Sequence, residues 1–233
     1  MRPTLIIARN FLRQMRWILL IYPLVAIAFA VTLVMANDRI ARDDLDFYFV
    51  QQFVYAIGIA TFLAGQANYN ERKSRRILGV LSKGIERRDY LAGLLGGVFA
   101  SSAVFLAGVL LGALFMAAHG QFQILPVFAA VVLMWFSCCL SAAFAMFLST
   151  FLHPLLAVAG TFFLIGSGVA AQIIRISAGM WFPVYQLNLE ARQLLVGKSA
   201  HVLVVPIAIT EIFIFWLLAG LIFNRRDIAV AIE

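Results

Sequence analysis

Residues Asn70 to Tyr90 read NERKSRRILGVLSKGIERRDY, the one long polar stretch in a chain that is otherwise close to continuous apolar sequence. Arg72, Lys73, Arg75, Arg76, Lys83, Arg87 and Arg88 stand there against Glu71, Glu86 and Asp89. A cationic excess of that kind beside apolar spans marks the cytoplasmic side of a membrane protein. Between the basic clusters lies a short apolar run, Ile77, Leu78, Val80 and Leu81. Spacings of three and four place Ile77, Val80 and Leu81 on one helical face, which predicts a small amphipathic helix offered to a partner or to lipid headgroups. The other reading is an ordinary basic loop held at the membrane surface.

Composition sets the class. Of 233 residues, 64% are hydrophobic and 12% charged, against roughly 25% charged in a soluble domain. Six nearly uncharged stretches are long enough to cross a bilayer, which takes about 20 residues of helix. Little sequence is left for a soluble domain, so residues 1–233 read as a single membrane domain. The net charge of +7 is a matter of orientation, not of nucleic-acid binding: thirteen of the 18 Lys and Arg fall on the side of the basic stretch and five on the other. No small-residue cleavage site follows a short apolar core near the N-terminus, so the first span is expected to be retained. Cys138 and Cys139, adjacent inside an apolar run, form no disulfide framework.

Outward from the basic stretch, the expected elements fall into a regular order. Residues 1–16 hold Arg9, Arg13 and Arg16 on one helical face and Leu5, Ala8, Leu12 and Met15 on another, the pattern of an interfacial helix on the cytoplasmic leaflet. Span one runs from Trp17 to Ala36, and Pro23 is expected to kink its first turns. The loop that follows carries Asp38, Asp43, Asp44 and Asp46 against Arg39 and Arg42, suiting the external side. Span two, Phe47 to Asn68, returns to the basic stretch. Span three, Leu91 to Ala118, carries Gly93, Gly97 and Ser101, then Gly108 and Gly112, spacings that let helices approach closely within one subunit or across a dimer. Spans four and five are Ile124 to Leu148 and Leu155 to Ile174.

Residues 175–200 are too polar to span and too apolar for a free loop. Trp181, Phe182, Pro183 and Tyr185 interleave there with Arg175, Asn188, Glu190 and Arg192, which predicts a re-entrant or interfacial helical segment on the outer side. Gly197, Lys198 and Ser199 lack the earlier glycine of a phosphate loop, since Arg192 holds that place. Span six, His201 to Phe223, contains Glu211, the only acidic residue well inside a span. A carboxyl at that depth costs several kcal/mol unless it is paired, protonated or wet. Pro206, five residues earlier, is expected to bend the helix and open polar space around it. Glu211 is either a hydrogen-bonded structural group or a residue facing a translocation pathway or a dimer seam.

Convergent reactive groups are missing. His119, His153 and His201 fall singly at span ends, no His or carboxylate spacing suggests a metal site, and no serine sits in a nucleophile elbow. Catalysis by this chain alone is not expected, nor any cofactor or metal bound by it.

Six spans, an amphipathic N-terminal helix, a basic loop between spans two and three and an interfacial segment before span six form a pattern that resembles the permease subunits of ABC-2 type ATP-binding-cassette exporters. The residues that carry it are Glu71 with the apolar turn Ile77 to Leu81, the small loop from Ser82, and Arg87 with Arg88. Trp181-Phe182-Pro183 and the closing Arg225-Arg226-Asp227 add to it. The resemblance implies an all-α membrane protein of six transmembrane helices, dimeric, in a bacterial inner membrane with both termini cytoplasmic. It implies a coupling helix that includes Glu71, Arg72, Arg75, Arg76, Ile77, Leu78, Leu81 and Ser82 and docks a separate ATPase subunit, where ATP and Mg would bind. An amphipathic or lipid-like substrate would be exported. A non-transporting anchor or scaffold subunit of a larger complex is the alternative; a secondary transporter would be expected to show internal repeats.

Overall fold

Polar residues flanking the apolar runs are helical too, because the sequence supplies groups to satisfy the ends. The computed structural model describes the backbone of residues 3–37, 39–73, 85–173, 183–197 and 203–225. Its helices are α1 (Pro3–Gln14), α2 (Arg16–Ala36), α3 (Arg42–Lys73), α4 (Arg87–Gly120), α5 (Ile124–Ser149), α6 (Pro154–Ile173), α7 (Pro183–Leu195) and α8 (Val204–Arg225). Among the described residues there is no strand. Helices α2, α3, α4, α5 and α8 are long and apolar enough to cross a bilayer. The remaining expected span, span five, corresponds to α6, 20 residues long, whose described apolar part, Pro154–Ile165, falls short of that length. The chain is an all-α, multi-pass membrane protein.

Helix ends differ from the apolar boundaries for identifiable reasons. Helix α3 begins five residues before the expected Phe47: Asp43 and Asp44 lie in its first turn, and Asp44 Oδ2 accepts the Ala41 backbone N–H at 2.8 Å. This is half of a capping box, with carboxylates favoured at the positive end of the helix. Helix α4 stops at Gln121, whose φ of 55° is left-handed, and the Phe122 N–H closes back on Ala117 O at 2.9 Å. Proline opens α6 at Pro154, where its missing N–H has no intrahelical partner to lose. The same physics corrects the expectation for Pro206. It is the third residue of α8, in the turn whose N–H groups are unpaired anyway, so it starts the helix and frees no carbonyl near Glu211.

Helix α5 is the hub, packing against α3, α4, α6, α7 and α8. The two glycine sets of α4 are both used inside this chain. A Cβ at Gly93 would lie 2.8 Å from Ile7 Cβ and 2.9 Å from Thr4 O, and one at Gly97 2.9 Å from the Phe11 ring. Helix α1 therefore seats Ile7 and Phe11, both buried, in a groove only glycine leaves open. The packed face of α1 centres on these two residues. Ala8, Leu12 and Met15 flank it, whereas Leu5, expected on the apolar side, is exposed with Ile6, Arg9 and Arg13. Further along α4, Gly108 receives Pro23 of α2, and Gly112 leaves room for the Tyr48 hydroxyl. That hydroxyl reaches Ala26 O and Val109 O, each at 3.2 Å, joining α2, α3 and α4.

Polar ties hold both ends of the bundle. On the face of the basic stretch, Arg87 at the start of α4 donates to Phe223 O at 2.9 Å and Asn224 O at 3.3 Å. Its guanidinium also stands 5.9 Å from the Phe223 ring centre. The last carbonyls of α8 lack intrahelical partners and carry the negative end of its dipole, which a cation complements. On the opposite face Arg192 of α7 holds Asp46 of α3 through two contacts, 2.7 and 2.9 Å. Arg42 adds a bond to Val196 O at 3.3 Å. Segments assigned by charge to one side thus meet on one side.

Candidate functional site

Glu211 is the eighth residue of α8, about 10 Å along the helix at 1.5 Å per residue, on the side of the bundle that carries α7. It is half-buried, and it is one of the residues that line a cavity of about 150 Å³. Each wall has a plain local origin. Helix α5 presents Ser141 and Phe144; helix α6 presents Thr161 and Ile165; Phe53 comes from α3 and Phe215 from the turn of α8 after Glu211. The amphipathic α7 lies across the outer end and contributes Val184, Tyr185 and Asn188.

The polar groups in this apolar chamber are few. Ser141 Oγ donates to Ser137 O and Thr161 Oγ1 to Ala157 O, each at 2.8 Å, which satisfies both hydroxyl protons within their own helices. Among the described residues, Glu211 has no hydrogen bond or ion pair, and no Lys, Arg or His lines the cavity. Four aromatic residues line the cavity with Glu211: Phe53, Phe144, Tyr185 and Phe215. Phe144 and Phe215 meet edge to face with centres 5.0 Å apart, which fixes their ring planes.

The Asp46–Arg192 pair sits above this chamber and holds α7 to the start of α3. Burial favours neutral Arg192, but the hydrogen bond to Asp46 outweighs it and holds the guanidinium above its ordinary value, aided by the charge of Asp46.

Of the residues singled out from sequence, the structure brings Glu211 and Tyr185 to one cavity. Glu71 and Arg72 lie on the last turn of α3, and Pro183 opens α7, known by backbone alone. Arg75, Arg76, Ile77, Leu78, Leu81 and Ser82, with Trp181 and Phe182, lie outside the described residues. Sequence reasoning missed Phe53, Ser141, Phe144, Thr161 and Phe215, and named Asn188 only as part of the interfacial segment. The available signal was the pair Ser137 and Ser141, four residues apart in an otherwise apolar span, a spacing that puts both on one face.

Cys138 and Cys139 are buried thiols, and His119 and His153 pack against Phe115 and Tyr69 at helix ends. Among the described residues, no group of three or more His, Cys, Asp or Glu is placed to hold a metal ion. Fold, hydropathy and charge distribution together define a multi-pass membrane protein with a polar-spotted apolar chamber near one face. Comparisons with family models, with curated proteins and with solved structures give no match to this chain.

Proposed function

We propose that this chain is the membrane subunit of an ABC-2 type exporter, dimeric in a bacterial inner membrane with both termini cytoplasmic. A separate ATPase subunit docks on residues 70–85, where ATP and Mg act. The observation that carries the reading is α3: one unbroken helix of 32 residues, about 48 Å long, that lines the chamber with Phe53 and continues into Glu71 and the basic stretch. A rigid rod of that length turns a displacement at the docking segment into one at the chamber wall, which is what coupling ATP binding to transport requires. The chamber supports transport over a purely anchoring role, since a cavity enclosed by five helices offers a place to hold a substrate that an anchor does not need.

Purification of the tagged chain from its native membrane in mild detergent tests this. Recovery of a P-loop ATPase, lost on Leu78→Asp and weakened on charge reversal at Arg75 and Arg76 with insertion intact, is the expected result. Recovery of an unrelated complex without ATPase would replace the exporter by the scaffold reading.

A further inference from the structure

We infer that the outward face of α1 is a binding site for an anionic phospholipid, with the lipid phosphate held by Arg9 and Arg13 and the apolar part of the lipid lying on Leu5 and Ile6. The inference goes beyond the exporter reading and does not depend on it, since an anchoring subunit would carry the same face.

The seating of α1 creates this face. Its 12 residues extend about 18 Å, too short to cross a bilayer. Ile7 and Phe11 are held in the Gly93 and Gly97 groove of α4, which fixes the rotation of the helix. With those two inward, Leu5, Ile6, Arg9, Asn10 and Arg13 are turned outward as one strip, and they line a cleft of about 430 Å³. Leu5, Arg9 and Arg13 recur every four residues, so one apolar and two cationic side chains follow one another along a single ridge. Leu5 and Ile6 stay 63% and 47% exposed, although the groove on α4 lies one helix radius away.

Charge selects the ligand's sign. Residues 1–37 contain Arg2, Arg9, Arg13 and Arg16 and no Asp or Glu. Among the described residues, Arg9 and Arg13 have neither an ion pair nor a hydrogen bond. Guanidinium groups bind phosphate oxygens through paired N–H donors, and the Asn10 amide adds a donor for a headgroup hydroxyl or ester oxygen. Depth agrees. Just beyond α1 the Arg16 guanidinium stands 5.5 Å from the ring centre of the exposed Trp17, and a tryptophan at the start of a span settles at headgroup level. A soluble anion would satisfy the arginines and leave Leu5 and Ile6 in water; hydrocarbon alone would do the opposite. A phospholipid with net negative charge answers both halves of the strip.

The test is equilibrium retention of radiolabelled phosphatidylglycerol by the purified, delipidated full-length chain in uncharged detergent, against phosphatidylcholine with the same acyl chains. Saturable binding of phosphatidylglycerol is expected, about tenfold tighter than phosphatidylcholine, with the preference shrinking as salt rises from 0.1 to 1 M. Arg9→Gln with Arg13→Gln should abolish the preference, while Arg39→Gln, which removes an exposed charge between α2 and α3, should keep it. Leu5→Ser with Ile6→Ser should weaken both lipids severalfold. Equal binding of the two lipids, or an unchanged preference in the double arginine variant, would overturn the inference. Displacement of the lipid by an equal concentration of inorganic phosphate would assign the face to a soluble anion. An acidic protein recovered with the chain in place of lipid, and lost in the double arginine variant, would assign it to that partner; either result also overturns the inference. If the double variant does not stay monodisperse, the lipid preference of the unaltered chain, its salt dependence and the single Arg13→Gln variant decide the matter.

Discussion

Breaking the Asp46–Arg192 pair should loosen α7 from α3 by a predictable amount. The contact is bidentate, at 2.7 and 2.9 Å, but the two side chains keep 28% and 41% of their exposure. A fully exposed pair contributes about 0.2–1 kcal/mol, while a buried charged hydrogen bond contributes about 1.5–3 kcal/mol. Partial exposure with two-point geometry places the coupling near 1 kcal/mol, about a fivefold change in the equilibrium between docked and undocked α7. The assay is a double-mutant cycle, Asp46→Asn, Arg192→Gln and both together, on reversible unfolding in mixed micelles. Raising salt from 0.1 to 1 M shortens the screening length from about 10 to about 3 Å and should shrink the coupling. No alkaline transition is expected. The folded-state value of Arg192 is raised, so the stabilisation is present below its unfolded value and lost only as pH rises through a folded value higher still. A coupling below about 0.3 kcal/mol, within the additivity error of independent sites, would refute the clasp. Helix α7 would then be held by its buried Leu187 and Ala191.

Three further outcomes follow from the packing. Gly93→Ala should displace α1 at a cost of about 1–3 kcal/mol, more than Gly97→Ala, because its Cβ meets the body of α1 at Thr4 O and Ile7 Cβ and not chiefly a ring that can rotate. Maleimide labelling of Phe11→Cys in a Cys138→Ala, Cys139→Ala background reads the displacement. Tyr48→Phe loses one donor shared between Ala26 O and Val109 O; buried hydrogen bonds in membrane bundles average about 0.6 kcal/mol, so the unfolding midpoint should fall slightly with the fold intact. Arg87→Met keeps the apolar stem against Phe223 but removes the cap on the α8 carbonyls, and should destabilise by about 1 kcal/mol, measured in the same unfolding assay.

The positions of the apolar spans were readable from sequence because they rest on a local quantity, apolar length. Boundaries moved outward where caps such as Asp44 made polar turns helical. What sequence leaves hidden is pairing over long separations. Asp46 and Arg192 are 146 positions apart, and charge placed both on the external side without joining them. The glycines of α4 announced close approach but not the partner, which proves to be α1 and α2 of the same chain. Glu211 was conspicuous because a carboxylate is rare in a span. Its surroundings were not, since Phe53, Phe144 and Thr161 look like ordinary span residues until the helices meet.

The docking claim is tested most directly at Leu78. In the Cys138→Ala, Cys139→Ala background, Leu78→Cys carrying a short bifunctional crosslinker is treated in native membranes, and the product is identified by mass spectrometry. The account predicts a covalent adduct to an ATP-hydrolysing subunit, with a yield that changes when ATP is bound. Adducts only to lipid, to a second copy of this chain or to a protein without ATPase activity would contradict it.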